Sequence, residues 1–306
     1  MLQIRLSFNF IFKLTLLRPI IIWKKLNIKG FAYFSIPYGF SQCKIRFIHP
    51  LTQLKSAILI VISFSVCTIQ TCIRSIKPMV YSKVNPRENL KIALFLAMNT
   101  GFVDAFTFFH FGERFASLQT GNLIQTGLNL AQGRFKAAFQ FMIPVLFFIA
   151  GAIIKTLFTK YKKRKGRDEV QDLILVQMVG IAVFTLFFAT VLQLPQAIFV
   201  GILSFFMVIQ GDLFTRVHGL PYANIMSTGN IKSLATNFAE YLVERDKKYL
   251  QNSFLFFELV LSFAIGAFLS SFVGHWLGNF TLLGSSALLL LAYIAYRKET
   301  KRAEIA

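Results

Sequence analysis

Asp104-Ala-Phe106-Thr107-Phe-Phe-His110, then Thr120-Gly121-Asn122 and Asn129, decides the reading of this chain because it is written twice. Asp212, Phe214, Thr215, His218, Thr228, Gly229, Asn230 and Asn237 repeat those residue types in order, without a gap, 108 positions later. Both copies lie in or beside long apolar runs. An internal duplication in a membrane protein is the usual trace of two halves that share a site.

Composition agrees with a membrane setting. The chain is 55% hydrophobic, its mean hydropathy is +0.60, and 15% of its residues are charged. That is too apolar for an ordinary soluble chain of this length. Several segments approach the ~20 apolar residues needed to cross a bilayer. The expected fold class is all-α, a polytopic helical membrane protein whose partner is the lipid bilayer. The net charge of +20 invites a nucleic-acid reading. The positive-inside bias accounts for it instead. No basic patch is interleaved with a soluble fold, so no nucleic-acid partner is expected.

Residues 1–78 are a different kind of sequence. They hold 11 Lys plus Arg, no Asp or Glu, and all three cysteines, Cys43, Cys67 and Cys72. Without them, 22 basic residues stand against 13 acidic ones. Three readings compete. A transit peptide would be acid-poor, but such peptides are Arg- and Ser-rich and amphipathic. Extra anchors could lie at 8–23 and 57–73, although Lys13, Arg18 and Pro19 interrupt the first and the second is short. The third reading fits the Ile- and Lys-rich composition best. There the stretch is a disordered or wrongly started extension, and the membrane domain runs from Met79 to residue 306. The cysteines are not spaced as a metal site.

From residue 90 onward six spans are expected, at 90–111, 137–158, 173–192, 197–214, 254–273 and 277–296. Segments 117–133 and 224–243 lie between spans, and each carries a T-G-N. The loop 160–167 has six basic residues in eight, the tail 297–302 has four in six, and 245–248 adds three. Placing these on the cytoplasmic side with the basic start at 83–91 satisfies the positive-inside bias. It works with six spans only if neither T-G-N segment crosses. The T-G-N segments therefore read as re-entrant or embedded half-helices. Each repeat, 90–192 and 196–297, then has three spans, and the second enters from the opposite side as an inverted repeat. Phe148, Gly151 and Ala152 against Phe263, Gly266 and Ala267 extend the duplication at an offset of 115.

The T-G-N segments carry the chemical signal. Gln119, Asn122, Gln125, Asn129 and Gln132 share one helix face, as do Ser227, Asn230, Ser233, Asn237 and Glu240. Lipid cannot satisfy such a face. T-G-N suits a helix start whose free N–H groups point at an anion or a polar ligand. The competing reading has these amides tie helices together. Asp104 and Asp212 are expected deep within spans at mirrored depths, with Thr107 and Thr215 on their faces. Intramembrane acids default to functional hypotheses. The candidate substrate-binding residues are therefore Asp104, Thr107, Thr120, Gly121, Asn122, Asn129, Asp212, Thr215, Thr228, Gly229, Asn230 and Asn237. His110 and His218 read as interfacial polar residues. Glu258, Arg114, Arg134 and Lys155 read as groups that snorkel from near span ends. There is no metal-ligand His pair, phosphate loop or nucleophile elbow, so no catalytic residue, metal or cofactor is expected and the chain does not read as an enzyme.

From about Glu88 to the end the residues resemble the YoaK family of uncharacterised bacterial membrane proteins. Gly101-Phe-Val-Asp104-Ala-Phe-Thr107 and Phe115-Ala-Ser-Leu-Gln-Thr-Gly-Asn122 match that family's opening signature, and the T-G-N at 228–230 fits as well. The resemblance implies a multi-pass protein of the bacterial plasma (inner) membrane and supplies no activity. Two functions remain. One is a secondary transporter of a small polar or anionic solute. The alternative is a non-transporting scaffold, sensor subunit or assembly factor. The oligomeric state is left open.

The composition break yields a first prediction. A chain shortened to begin at Met79 is expected to reach the membrane fraction as well as the full chain does. Immunoblots of fractionated cells check this, and loss of the short form alone would contradict it.

Overall fold

The computed structural model describes residues 85–166, 168–190 and 194–305, with two short strands nearer the N-terminus. The chain divides into units 1–56 and 57–306. In the first, β1 (Phe31–Tyr33) pairs antiparallel with β2 (Lys44–Arg46). The anchors weighed at 8–23 and 57–73 lie outside the described residues.

In the second unit a 3-10 turn at Pro86–Glu88 leads into α1 (Leu90–His110). Then follow α2 (Gln119–Ala131), α3 (Phe135–Arg164), α4 (Val170–Thr190) and α5 (Gln196–Gly211). A small hairpin, β3 (Arg216–Val217) with β4 (Leu220–Pro221), precedes α6 (Ser227–Glu244), α7 (Lys247–Leu277) and α8 (Leu283–Ile305). Local chemistry sets several ends. The Asn89 side chain caps α1 by accepting from Lys91 N. Arg245, in the left-handed region at φ 58°, ends α6, and Asp246 at once caps α7 through Lys248 N.

Five helices are long and apolar enough to cross a membrane: Leu90–His110, Phe135–Arg164, Val170–Phe188, Lys247–Leu277 and Phe280–Ile305. The expected fourth span, 197–214, is shorter than read. Helix α5 has 16 residues and ends at Gly211. It is about 24 Å long at 1.5 Å per residue, against a core of about 30 Å. It stops because the Asn224 side chain donates to the carbonyls of Gln210 (2.8 Å) and Phe214 (3.1 Å). Those carbonyls are satisfied without a further turn. The T-G-N helix α2 has 13 residues and is shorter still.

Packing fixes the arrangement. Helix α1 lies against α7 and α8, and α5 lies against α3 and α4. Helix α2 packs on α3, α6 on α7, and α4 on α8. From Ile92 to Asp104 every residue of α1 is buried, so it is the central helix. Large apolar side chains face outward instead, among them Ile153 and Leu157 on α3, Val183 on α4, and Phe268 and Phe272 on α7. An outward apolar belt around a helical bundle is a lipid-facing surface.

One end of the bundle is tied by polar contacts. Arg87 pairs with Asp168 (2.7 Å) and Glu169 (3.3 Å). The Tyr296 hydroxyl donates to Asp168 at 2.9 Å. Glu88 accepts from the backbone of His218 (3.0 Å) and Gly219 (2.7 Å). The starts of α1 and α4 thus meet the end of α8 and the hairpin after α5. Burial opposes the Arg87 charge, but the bond to Glu169 and the field of Glu169, Tyr296 and Asp168 prevail and raise its pKa.

The crossing of α1 and α7 depends on two glycines. A methyl group on Gly101 would lie 2.0 Å from the Phe263 carbonyl oxygen, and one on Gly266 would lie 1.9 Å from that of Met98. Lipid offers helices no hydrophobic reason to associate, so close backbone approach at small residues supplies it. Gly101→Val and Gly266→Val are each expected to destabilise the protein by about 3 kcal/mol or more, because the obstacle is backbone. Gly127→Ala on α2, where no atom lies within 4 Å, should stabilise by about 0.5 kcal/mol. Thermal unfolding of the purified protein in detergent checks both.

Candidate functional site

The two T-G-N turns are built alike. Each occupies the first turn of its helix, α2 or α6. Neither Asn caps its helix. The Asn122 side chain reaches back over the preceding loop, accepting from Phe115 N (3.0 Å) and donating to Phe115 O (2.8 Å). Asn230 does the same with Ala223 N (3.2 Å) and Ala223 O (2.8 Å). Phe115 and Ala223 are 108 positions apart, as the asparagines are. Further along, the Asn129 amide donates to Gln125 O at 2.7 Å and that of Asn237 to Ser233 O at 2.8 Å. Gly121 is needed because a Cβ there would meet the Phe115 ring at 2.8 Å, whereas Gly229 has open space. Thr120 and Thr228 are exposed.

The α2 stripe turns inward at Gln119, Asn122, Gln125 and Asn129 while Gln132 is exposed, and the α6 stripe likewise buries Asn230 and exposes Glu240. Asn122 and Asn129 are buried, while Leu123, Ile124 and Leu128 face outward.

The two aspartates part company. Asp104 is buried, and its carboxylate accepts from Ser117 N (2.7 Å) and Ser117 Oγ (2.5 Å). The amides of Ala116 and Leu118 also face it. Successive backbone N–H groups before a helix make an anion nest. Here the protein's own carboxylate fills that nest. Thr107 is buried and bonds the Asp104 carbonyl at 3.2 Å.

Asp212 corrects the expectation of mirrored depth. It follows the last residue of α5, its side chain is 62% exposed, and it pairs with Lys155 Nζ at 3.2 Å. The reason is readable in the sequence. Ser117, which holds Asp104, has Ile225 as its counterpart 108 positions on, and Ile225 offers no hydroxyl. Thr215 is exposed beside it and not on a buried helix face.

Lys155 keeps its stem buried and brings its Nζ to the exposed Asp212, as a snorkelling lysine does. Arg114 departs from that reading. It is buried over the Phe141 ring, 4.5 Å from the centroid, and donates to Phe111 O (2.9 Å) and Gln140 Oε1 (3.1 Å).

A buried polar cluster that sequence reading missed joins α1, α4, α5 and α8. Asn99 Nδ2 donates to Gln210 Oε1 at 2.9 Å, and Gln177 Nε2 donates to the same oxygen at 3.1 Å. Gln210 Nε2 donates to Thr100 Oγ1 (2.7 Å) and Leu96 O (3.1 Å). The Ser285 hydroxyl donates to Asn99 Oδ1 at 2.6 Å. Both Asn99 and Gln177 also reach Met207 Sδ, at 3.9 and 3.8 Å. The six side chains that take part are wholly buried, as is Leu96, and Gln177 Oε1 is left without a partner. Asn99 and Met207 are 108 positions apart. So are Gln177 and Ser285, and so are Met178 and Ser286, which bond each other at 3.2 Å. The spacing was the available signal. It was hidden because Asn99/Met207 and Gln177/Ser285 do not share a residue type.

Glu258 was also misread. Helix α7 begins at Lys247, so Glu258 lies eleven residues in, about 16 Å along the helix. It is 3% exposed, so its carboxyl group is enclosed by protein and does not snorkel out of it. Neither of its carboxylate oxygens has a partner.

The Asn clamps give a third prediction. Asn122→Ala and Asn230→Ala each strand a backbone N–H and C=O, at about 1–3 kcal/mol per buried group. Both should unfold well below the parent temperature. Asn129→Ala and Asn237→Ala remove a bond to a helix carbonyl and should cost about 1 kcal/mol at most. Thermal unfolding of the four variants separates the pairs.

Among the described residues no group of three or more His, Cys, Asp or Glu side chains could hold a metal ion. No curated protein and no solved structure matches the chain. A family model described as "Protein of unknown function (DUF1275)" matches residues 92–295, the stretch that holds the clamps, the cluster, Asp104 and Glu258. On that match, which covers two thirds of its length, this helical membrane chain belongs to the DUF1275 family.

Proposed function

We propose that this protein is a membrane carrier made of two inverted halves, with the buried polar cluster as its solute-binding centre. The observation that carries this reading is the cluster itself. It lies where the halves meet, and its pairs exchange under the 108-residue offset. The bond between Asn99 and Ser285 becomes the contact between Met207 and Gln177. Helix packing supports the same exchange, since α1 on α7 becomes α5 on α3 and α2 on α3 becomes α6 on α7. The start of α1 meets the hairpin after α5, and the start of α4 meets the end of α8. Equivalent helices then run in opposite directions, which supports an axis in the membrane plane. In this arrangement α2 and α6 are the embedded half-helices, and the basic ends face the cytoplasm of a bacterial inner membrane, in keeping with the YoaK resemblance.

The chemistry of the cluster favours a small polar solute without net charge. Amides and hydroxyls both donate and accept, and no Lys, Arg or His is among its bonded partners within the described residues. The anionic alternative loses its anchor on α2, where Asp104 fills the nest.

The scaffold reading has one observation in its favour. The T-G-N asparagines spend their hydrogen bonds on their own backbone. Water access separates the readings. Ser285→Cys changes the side chain little and places a thiol in the cluster. The carrier reading expects it to react with a small polar thiol reagent, above the level of the native cysteines, in reconstituted vesicles. Uptake of uncharged polar solutes should exceed that of empty vesicles and be lost in Gln210→Leu that still folds. A thiol silent from both sides, with no uptake, would favour the scaffold.

A further inference from the structure

Glu258 is the buried acid in the described bundle that no neighbour accounts for. It is 3% exposed within a 31-residue helix long enough to cross a membrane. Its two oxygens are enclosed and unpartnered.

Neighbouring helices set its level. Gly101 meets Phe263 and Met98 meets Gly266, so α1 and α7 run antiparallel. Stepping along both places residue 258 level with about residue 106, half a turn from Asp104. On the other side the Ser253 hydroxyl donates to Leu234 O at 3.0 Å. The same stepping places residue 258 level with the T-G-N turn of α6. The group therefore sits at the depth where both half-helices begin.

The titratable groups of the packed helices are engaged or turned away. On α1, Asp104 is held by Ser117, while Lys91 and His110 are exposed. On α6, Lys232, Glu240 and Glu244 are exposed and Tyr241 is half-buried. On α7 itself, Lys247, Lys248 and His275 are exposed and Tyr249 is half-buried. The 3-10 turn Gly278–Leu282 that abuts α7 carries no titratable side chain. None of these bonds Glu258.

An ionised carboxylate enclosed with neither a cation nor a hydrogen-bond donor is far too costly in a low-dielectric interior. A metal cation would need several ligands around it, and among the described residues no group of three or more His, Cys, Asp or Glu side chains could hold one. A proton needs no further ligand.

We propose that Glu258 is a proton-binding site. The closed arrangement holds the carboxyl neutral, and exposure of the α1–α7 face to water releases the proton. If the protein is the carrier proposed above, Glu258 is the group through which a proton gradient drives the solute.

Infrared difference spectroscopy tests the site on the full chain in lipid, whether or not anything is transported. Glu258→Gln keeps the shape and mimics the neutral acid, so it should fold. Subtracting its spectrum from that of the parent at neutral pH should leave the carbonyl stretch of a protonated carboxylic acid. A difference in carboxylate stretches instead would overturn the proposal. Dicyclohexylcarbodiimide gives a second readout. The acid proton passes to a carbodiimide nitrogen and the carboxylate oxygen bonds the central carbon, so the whole reagent adds and nothing leaves. Peptide mapping should find Glu258 modified, less so as pH rises, and Asp104 spared. Modification of Asp104 with Glu258 untouched would also count against it. A proton band without solute uptake would keep the site and retire the carrier. Uptake without the band would do the reverse.

Discussion

Hydrocarbon solvates no polar atom, and this constraint orders the whole bundle. Helix α2 shows it most directly. Its amide face turns inward and Leu123, Ile124 and Leu128 face out, the reverse of a soluble amphipathic helix. The same rule explains why a loop that turns back along α1 needs Asn122. The loop's backbone groups at Phe115 have no helix of their own to bond, and the Asn122 amide supplies a donor and an acceptor at once. Asn230 repeats the solution at Ala223.

With no hydrophobic force to press helices together, contact quality decides the packing. Gly101 and Gly266 bring the α1 and α7 backbones close. Gly151 does the same for α3 and α5, where a Cβ would lie 2.7 Å from Phe205 O. These approaches bury α1 and leave Asn99 and Thr100 facing Gln210. Interhelical bonds among neutral amides and hydroxyls then tie four helices together without an enclosed charge.

The residue types that recur 108 positions apart carry different chemistry in the two places. The first half holds a carboxylate inside because Ser117 and its neighbouring amides receive it. The second half has Ile225 in that place and turns its aspartate out to Lys155. Its buried acid is instead Glu258, on another helix and without a donor. The two buried acids therefore differ in kind: Asp104 is satisfied and Glu258 is not.

The apolar runs and basic clusters by themselves determined a helical membrane chain, and the T-G-N blocks placed a helix within each of 117–133 and 224–243. Helical period and lipid exclusion act locally along the chain, so they are legible there. The end of α5 at Gly211 was not legible, because the Asn224 amide that caps it comes from 14 residues away across a turn. The fate of Asp212 depended on a missing serine and a lysine 57 positions away. The central cluster drew on residues up to 186 positions apart, and an Asn paired with a Met 108 positions on leaves no repeated letter to notice. Only tertiary structure decided which polar atoms found partners, because a hydrogen bond is fixed by distance and direction between elements. That leftover is what separates Asp104, which is satisfied, from Glu258, which is not.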